Sequence, residues 1–419
     1  MTPQRDLVPM SQRDLQRYHT LRLVVERRIT GAQAVRSLGL SLRHVRRLTA
    51  RLRRDGRRGL VHGNRGRPSG RRLAPALQQQ ILTLAQGRYA GLNTTHLTEK
   101  LQAAVGLRVS RPTVHRLLRA AGVARPRHRR PPRHRTRRER KAQAGLLVLW
   151  DGSPYAWLET RGPMCCLIGA VDDATGALLP GAAFVPAEDT VSYLRLLHTL
   201  VRTCGLPGSL YMDRHSIFHR NDAHWTLAEE LRGRQDPTQV GRALEALGIT
   251  PIYALSPQAR GRIERLWGTL QDRLVAELRL AGIATPAAAT AFLPAFTAQF
   301  NARFARPAAT TTPAWRPLPA GLDLDRICSL YTEATVLNDN TVRVRGTLIQ
   351  IPPGPGGRGY GKARVEVRHL LEGTWRVYYQ DRLLVTHAGS TGPPQASLHR
   401  RRYSTGPSRR RDIITEHLG

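Results

Sequence analysis

The chain has 419 residues, with 66 Lys and Arg against 30 Asp and Glu and a formal net charge of +36. That length suits about three domains of ordinary size, and the charge calls for a polyanionic partner. No stretch nears the roughly 20 apolar residues of a membrane span, and the start lacks a signal-peptide core. Cys165, Cys166, Cys204 and Cys328 form neither a CxxC pair nor a Cys/His metal spacing. Membrane-bound and secreted classes are set aside, and a cytoplasmic protein with free thiols is expected.

The charge is concentrated at one end. Residues 1–145 hold 35 Lys/Arg against 6 Asp/Glu, so they carry 29 of the 36 net positive charges. An N-terminal part that docks on nucleic acid follows from this asymmetry. Nearly all the cations are Arg, whose planar fork suits phosphate oxygens, although a GC-rich genome accounts for much of the Arg-for-Lys usage.

Within residues 1–65, a helical stretch RYHTLRLVVERR precedes ITGAQAVRSLGLSLRHVRRLTARLRRDG. This second stretch reads as helix, tight turn at Gly39, helix. Thr30 and Ser41 stand at N-cap positions. Ala32, Ala34, Val35 and Leu38 form the inward side of the first helix, and Leu42, Val45, Leu48 and Leu52 that of the second. Asp55-Gly56 ends the second helix. Arg43, His44, Arg46 and Arg47 then face outward. This is the helix-turn-helix pattern, whose second helix enters the DNA major groove.

A basic linker follows at residues 66–73. Arg65-Gly66-Arg67-Pro68 suits either a hook into an AT-rich minor groove, through Arg65 and Arg67, or a plain linker brushing phosphates. Residues 74–124 repeat the first pattern. Thr94 or Thr95 opens a helix, AVGLRV turns, and Ser110 caps SRPTVHRLLRAAG, with Pro112 accepted in the first turn. Val114, Leu117 and Leu118 face inward; Arg111, Thr113, His115, Arg116 and Arg119 do not. Two tandem readers lengthen a DNA footprint. Residues 125–144, RPRHRRPPRHRTRRERKAQA, are too charged and Pro-rich to bury a core and read as a tether ordered on DNA.

From 145 to 305 the chain alternates strand and helix. LLVLWDG is a strand, MCCLIGAVDDATGALLPGAAFV a hairpin turning at Asp173–Gly176, and VSYLRLLHTLVRTCG a helix. SLYMDR, VGRALEALG and TPIYALS are strand, helix and strand, and helices cover 258–281 and 286–305. Strand, hairpin, helix, strand, helix, strand, helix is the order of an RNase H-like α/β fold. Asp151 and Asp213 each follow a short apolar strand and are expected at strand C-terminal ends. Glu264 lies on the helix after the last strand. Two such Asp and one helical Glu can hold a pair of divalent cations, which on so basic a chain suggests the cutting and joining of DNA. Asp172 and Asp173 read as hairpin residues. His215 suits either a scissile-phosphate contact or a structural hydrogen bond, and Arg260 and Arg262 either DNA phosphate contacts or plain exposure.

After a linker at 306–328, residues 329–388 hold short strands separated by turn signals such as Asn338-Asp339-Asn340 and Glu372-Gly373. A small all-β barrel of SH3-like type is expected, then a basic, disordered tail over 389–419.

These words resemble a known family. DGSPYAWLE (151–159), AVDDATG (170–176), DRHSIF (213–218), SPQARGRIERLWGTLQDRL (256–274) and FNARFA (300–305) are similar to those of bacterial insertion-sequence transposases of the ISNCY group. That group lies within the DDE superfamily with a retroviral-integrase-like core, and the likeness covers roughly residues 12 to 388. It implies a catalytic, metal-binding triad at Asp151, Asp213 and Glu264, with two Mg²⁺ (Mn²⁺ substituting). It also implies binding to the terminal inverted repeats of an element, strand cleavage and transfer into target DNA, and action as a homo-oligomer on double-stranded DNA at the bacterial nucleoid. The second and third acids are 51 positions apart, more than in retroviral integrases, and the surplus falls in 219–247 as an inserted helical excursion. The integrases' zinc-binding His/Cys module has no counterpart, and Trp267 stands in the core where relatives carry Asn or Phe.

Overall fold

The structure is a computed structural model describing residues 10–62, 72–123, 138–220, 224–254 and 261–389. The chain divides into two compact units, Met1–Gln80 and Ile81–Gly419.

The first unit holds α1 (Gln12–Val25), α2 (Gly31–Leu38) and α3 (Leu42–Asp55), then a 3₁₀ turn over Gly56–Leu60. Local chemistry sets each helix start. Ser11 and Thr30 form capping boxes with Asp14 and Gln33, and Ser41 accepts from the His44 N–H. Gly39 takes the left-handed conformation (φ 61°) that turns α2 into α3. Leu21, Ala34, Val45, Leu48 and Leu60 form the core. Two expected inward positions differ: Ala32 is exposed, and Leu42 is 42% exposed because it opens α3 at the rim of this small core.

α4 (Pro75–Gln86), α5 (Thr94–Val105) and α6 (Arg111–Ala120) follow. Asn93, one residue ahead of the expected Thr94, is the N-cap of α5, its side chain accepting from the His96 N–H. Ser110 is the N-cap of α6, but its hydroxyl pairs with that of Thr113 instead of a backbone N–H. Pro112 in the first turn removes one candidate donor.

The central sheet has five strands in the order β3-β2-β1-β4-β5. These are β1 (Val148–Tyr155), β2 (Cys165–Asp172), β3 (Ala183–Val185), β4 (Ser209–Met212) and β5 (Thr250–Tyr253). β1–β2 and β2–β3 are antiparallel, whereas β1–β4 and β4–β5 are parallel. Helices cover both faces, as a mixed sheet buried on two sides requires. On one side α7 (Thr190–Cys204) and α9 (Gln239–Ala246) pack on Val148, Trp150, Leu210 and Met212. On the other, α10 (Gly261–Leu280) and α11 (Pro286–Phe304) pack on Leu149, Leu167 and Val171. The excursion between β4 and β5 carries the short α8 (Leu227–Arg232), closed around Glu229, which is bonded to Arg220 and to the backbone N–H groups of Thr226 and Asp236. The β4–β5 pairing is unbroken across this insertion.

Two stretches expected to be linkers are pinned against the α/β domain. Residues 138–144, expected to order on DNA, are pinned here by protein: Arg138 bonds the Asp173 carboxylate and Arg140 the Asp173 carbonyl. A buried carboxylate supplies the anion that DNA was expected to provide. Residues 306–328 run back past the chain just ahead of β1 and β4. Arg316 pairs with Leu206, Trp315 lies on Gly145, and α12 (Leu324–Ile327) buries Leu324 and Ile327.

The C-terminal strands β6 (Leu330–Thr335), β9 (Arg364–His369), β10 (Trp375–Tyr379) and β11 (Arg382–His387) form an antiparallel sheet in the order β11-β10-β9-β6. β7 (Thr341–Val344) and β8 (Thr347–Gln350) form a separate hairpin. Both share one core of Val336, Val342, Ile349, Val367, Trp375 and Val377.

Candidate active site

β1 determines where the first acid stands. Its pairing with β2 runs through all eight residues, Val148↔Asp172 to Tyr155↔Cys165. Asp151 therefore lies in mid-strand, not at the C-terminal end expected from LLVLWDG. The parallel pairing with β4, however, stops at Leu149↔Tyr211. Asp151 and Asp213 each stand two residues beyond that last pair, Asp213 just past the end of β4. β4 stays paired with β5 to Met212↔Tyr253, so of the two acids only Asp213 follows a strand end.

Asp213 shapes the loop it begins: its Oδ1 accepts from the His215 N–H at 3.0 Å. His215 in turn accepts the Ile217 N–H on Nδ1 at 3.3 Å, which gives the ring a structural hydrogen bond. Phe218 then plugs the core.

α10 brings up the third acid. Ile263, Trp267, Leu270 and Leu274 are buried at helical spacing. Trp267 does more than fill space, since its Nε1 donates to Asp151 Oδ2 at 3.1 Å. One turn further, Gln271 donates to Ser153 Oγ at 3.2 Å. Glu264 lies one turn before Trp267 and along the line of Gln271, on the flank of α10 that follows β1. Its side chain is exposed, with no hydrogen bond or ion pair among the described residues; neighbouring Arg265 bonds the Gly261 carbonyl instead. Among the described residues no three His, Cys, Asp or Glu side chains are gathered closely enough to hold a metal ion. Asp151 on β1 and Asp213 directly after β4 thus lie on neighbouring strands, and Glu264 lies in the first turn of the helix whose Trp267 bonds Asp151. As hard oxygen donors these three suit Mg²⁺, which keeps several of its own waters.

The start of α10 is held by charge. Arg262 was expected at a DNA phosphate or in solvent, but it pairs with the buried Asp173 and bonds the Arg138 carbonyl. Asp173 also accepts the Lys141 N–H at 2.8 Å. Burial raises the Asp173 carboxyl, but the Lys141 N–H and the Arg262 and Arg138 guanidinia outweigh it, so its pKa lies below the ordinary value. Asp172 caps the same turn through the Thr175 N–H and hydroxyl.

Farther along, α10 docks α5. Arg273 grips Glu99 through two bonds of 2.7 and 2.8 Å, Lys100 and His96 both reach Glu277, and Asn93 bonds Asp272. This interface was not legible in sequence, because its charges are spread over two segments about 175 residues apart. It leaves Arg111, His115, Arg116 and Arg119 of α6 exposed, with Thr113 half-buried. In the first unit Arg43, Arg46 and Arg47 are exposed on α3, and His44 is half-buried. Arg65, Arg67 and Arg260 lie outside the described residues. All four cysteines are free, and no helix among the described residues is long and apolar enough to cross a membrane.

A scan against protein-family models finds no match. Two solved structures are similar at low TM-score. The HTLV-2 integrase catalytic core domain in complex with magnesium (dimeric form) is 15% identical at TM-score 0.25, over 36% of this chain and 83% of that one. A simian T-cell lymphotropic virus intasome in complex with PP2A regulatory subunit B56 gamma is 13% identical at TM-score 0.29, over 74% of this chain and 99% of that one. At these scores neither carries weight. The sequence relatives do. The transposase for insertion sequence IS1202 of Streptococcus pneumoniae is 27% identical over 325 residues, 70% of this chain and 68% of its own length. The putative transposase y4bF of Sinorhizobium fredii (strain NBRC 101917 / NGR234) is 39% identical over 400 residues, 91% of this chain and 84% of its own. At that identity over that span, the chain belongs to the transposase family.

Proposed function

We propose that this transposase binds the terminal inverted repeats of an insertion sequence and carries out strand cleavage and strand transfer at Asp151, Asp213 and Glu264. The observation that supports the reading is that Asp151 and Asp213 follow the last paired residues of the adjacent strands β1 and β4, with Trp267 of α10 bonded to Asp151. Asp151 and Asp213 would hold the cations from the sheet, with Glu264 as the third ligand from the first turn of α10. When bound, two Mg²⁺, or Mn²⁺ in their place, would activate the attacking water or 3′-hydroxyl and neutralise the leaving oxygen. Trp267 and the Asp213 loop keep the carboxylates aimed, and no covalent enzyme intermediate is needed.

In this reading α2–α3 and α5–α6 are tandem helix-turn-helix readers, with Arg43, His44, Arg46, Arg47, Arg111, Thr113, His115 and Arg116 at the DNA. Arg65 and Arg67 follow the backbone or minor groove beside them, and Arg260 approaches the scissile strand. The core is RNase H-like and the C-terminal sheet with its hairpin an SH3-like barrel. At least two protomers act together, because two element ends must be joined, and the protein works on the nucleoid in the bacterial cytoplasm. The test is Asp151→Asn. It is expected to abolish nicking and joining of element-end DNA while leaving binding to that DNA intact. Strand transfer retained at saturating Mg²⁺ would exclude the assigned role.

A further inference from the structure

α10 is a single 20-residue helix, and its two halves hold different things. Ile263, Trp267 and Leu270 fasten the first half to the sheet, in the stretch that carries Glu264 and the Trp267 bond to Asp151. The second half holds α5. Arg273 donates to both oxygens of Glu99, at 2.7 and 2.8 Å, and one turn on Glu277 pairs with Lys100 at 2.7 Å and His96 at 2.6 Å. Arg303 of α11 reaches Glu99 as well, at 2.6 Å. At 1.5 Å per residue, Arg273 and Glu277 stand about 14 and 20 Å along the helix axis from Glu264.

α6 rides on α5. Leu97 and Leu101 of α5 and Val114 and Leu118 of α6 are buried, and α5, α6 and α10 lie in one compact unit. Arg111, Arg116 and Arg119 stay exposed on the outer side of α6. The seam with α10 is polar, for neither α5 nor α6 gives a side chain to the apolar clusters on the two faces of the central sheet. A forked guanidinium meets a carboxylate in few orientations. A seam made of such pairs therefore sets the position of α6 relative to the helix that carries Glu264.

Resting on the reading of α6 as a DNA reader and of this core as the cutting domain, we propose that the Glu99–Arg273 and Lys100–Glu277 pairs act as a ruler. They fix how many base pairs separate the sequence that α6 reads from the phosphate that is cut. One inserted base pair moves that phosphate about 3.4 Å and turns it about 35° around the duplex, which a rigid seam does not follow. The full chain with Mg²⁺ is assayed on labelled element-end DNA. Bases protected by wild type but not by Arg111→Ala/Arg116→Ala mark the α6 subsite, and one or two base pairs are then inserted or removed between it and the cut. Cleavage is expected at the original distance from the subsite or not at all. Cleavage at the old phosphate should fall by roughly a hundredfold, the scale of an ångström-level misplacement. Glu99→Gln with Glu277→Gln leaves Arg273 and Arg303 without their shared anion, so α5 should release α10. End-DNA affinity should then hold while cuts spread over several neighbouring phosphates. A cut that follows the terminal sequence whatever the spacing, or a single cut site kept in the double Gln variant, overturns the inference alone. Wild-type protection by Arg111→Ala/Arg116→Ala overturns the reading of α6 and the ruler together.

Discussion

Trp267→Phe probes the coupling between core packing and the acidic site. Trp267 is 4% exposed and lies in the cluster of Leu149, Ile263 and Leu270, with Nε1 on Asp151 Oδ2 at 3.1 Å. Losing a hydrogen bond to an ionised acceptor costs about 1.5–3 kcal/mol. Phenylalanine also leaves a void of roughly 40 Å³, which adds about 1 kcal/mol. The sum, about 2.5–4 kcal/mol, corresponds to a fall in Tm of about 5–15 °C for a unit of this size. Asp151 also loses the donor that fixes its rotamer, so the Mg²⁺ midpoint of strand cleavage is expected to rise severalfold at a temperature where the variant is folded. Leu270→Ala is the control. It is fully buried in the same stripe and makes no hydrogen bond to Asp151, so it should cost about 2–5 kcal/mol without moving that midpoint. Calorimetry supplies Tm, and cleavage of labelled end DNA supplies the midpoint. Identical Mg²⁺ dependence in the two variants, or an unchanged Tm in Trp267→Phe, would refute the reasoning.

Asp173→Asn leaves Arg262 and Arg138 without their shared buried anion, and a loss of about 3–5 kcal/mol is expected at pH 7 by denaturant unfolding. The folded-state pKa of Asp173 is depressed below 3.8. Its stabilisation is therefore present above that value and lost as pH falls through the folded pKa, so the gap between wild type and variant should narrow progressively as pH falls below 3.8; a constant gap would rule out the charge as its cause. Arg273→Met removes the bidentate bond to Glu99, which keeps Arg303 at 2.6 Å. A loss of about 1–3 kcal/mol should appear as faster amide exchange in residues 94–105 while β1 and β2 stay protected, and unchanged exchange there would dismiss the docking. Replacing Arg43, Arg46 and Arg47 by Ala should lower the slope of log affinity against log salt by roughly 3, measured by anisotropy on duplex DNA. An unaltered slope would remove α3 from the interface.

Sequence alone determined what depends on near neighbours. The starts of α2 and α3 were legible because Thr30 and Ser41 cap within three residues, and Gly39 takes the turn between them. The buried stripe of α10 was legible because its period is helical. The order of strands and helices followed from the same kind of local pattern, which each segment carries in itself.

Only the tertiary structure decided the rest. Asp151 read as a strand end because the apolar run stops there; in the fold, pairing with β2 carries the strand on to Tyr155. Arg262 read as a DNA contact or plain exposure because its anion, Asp173, is 89 positions away. Trp267 read as core alone, since its bond to Asp151 spans 116 residues. Hydrogen bonds and ion pairs act over a few ångströms of space whatever the separation along the chain, so partners brought together by folding leave no local pattern to read.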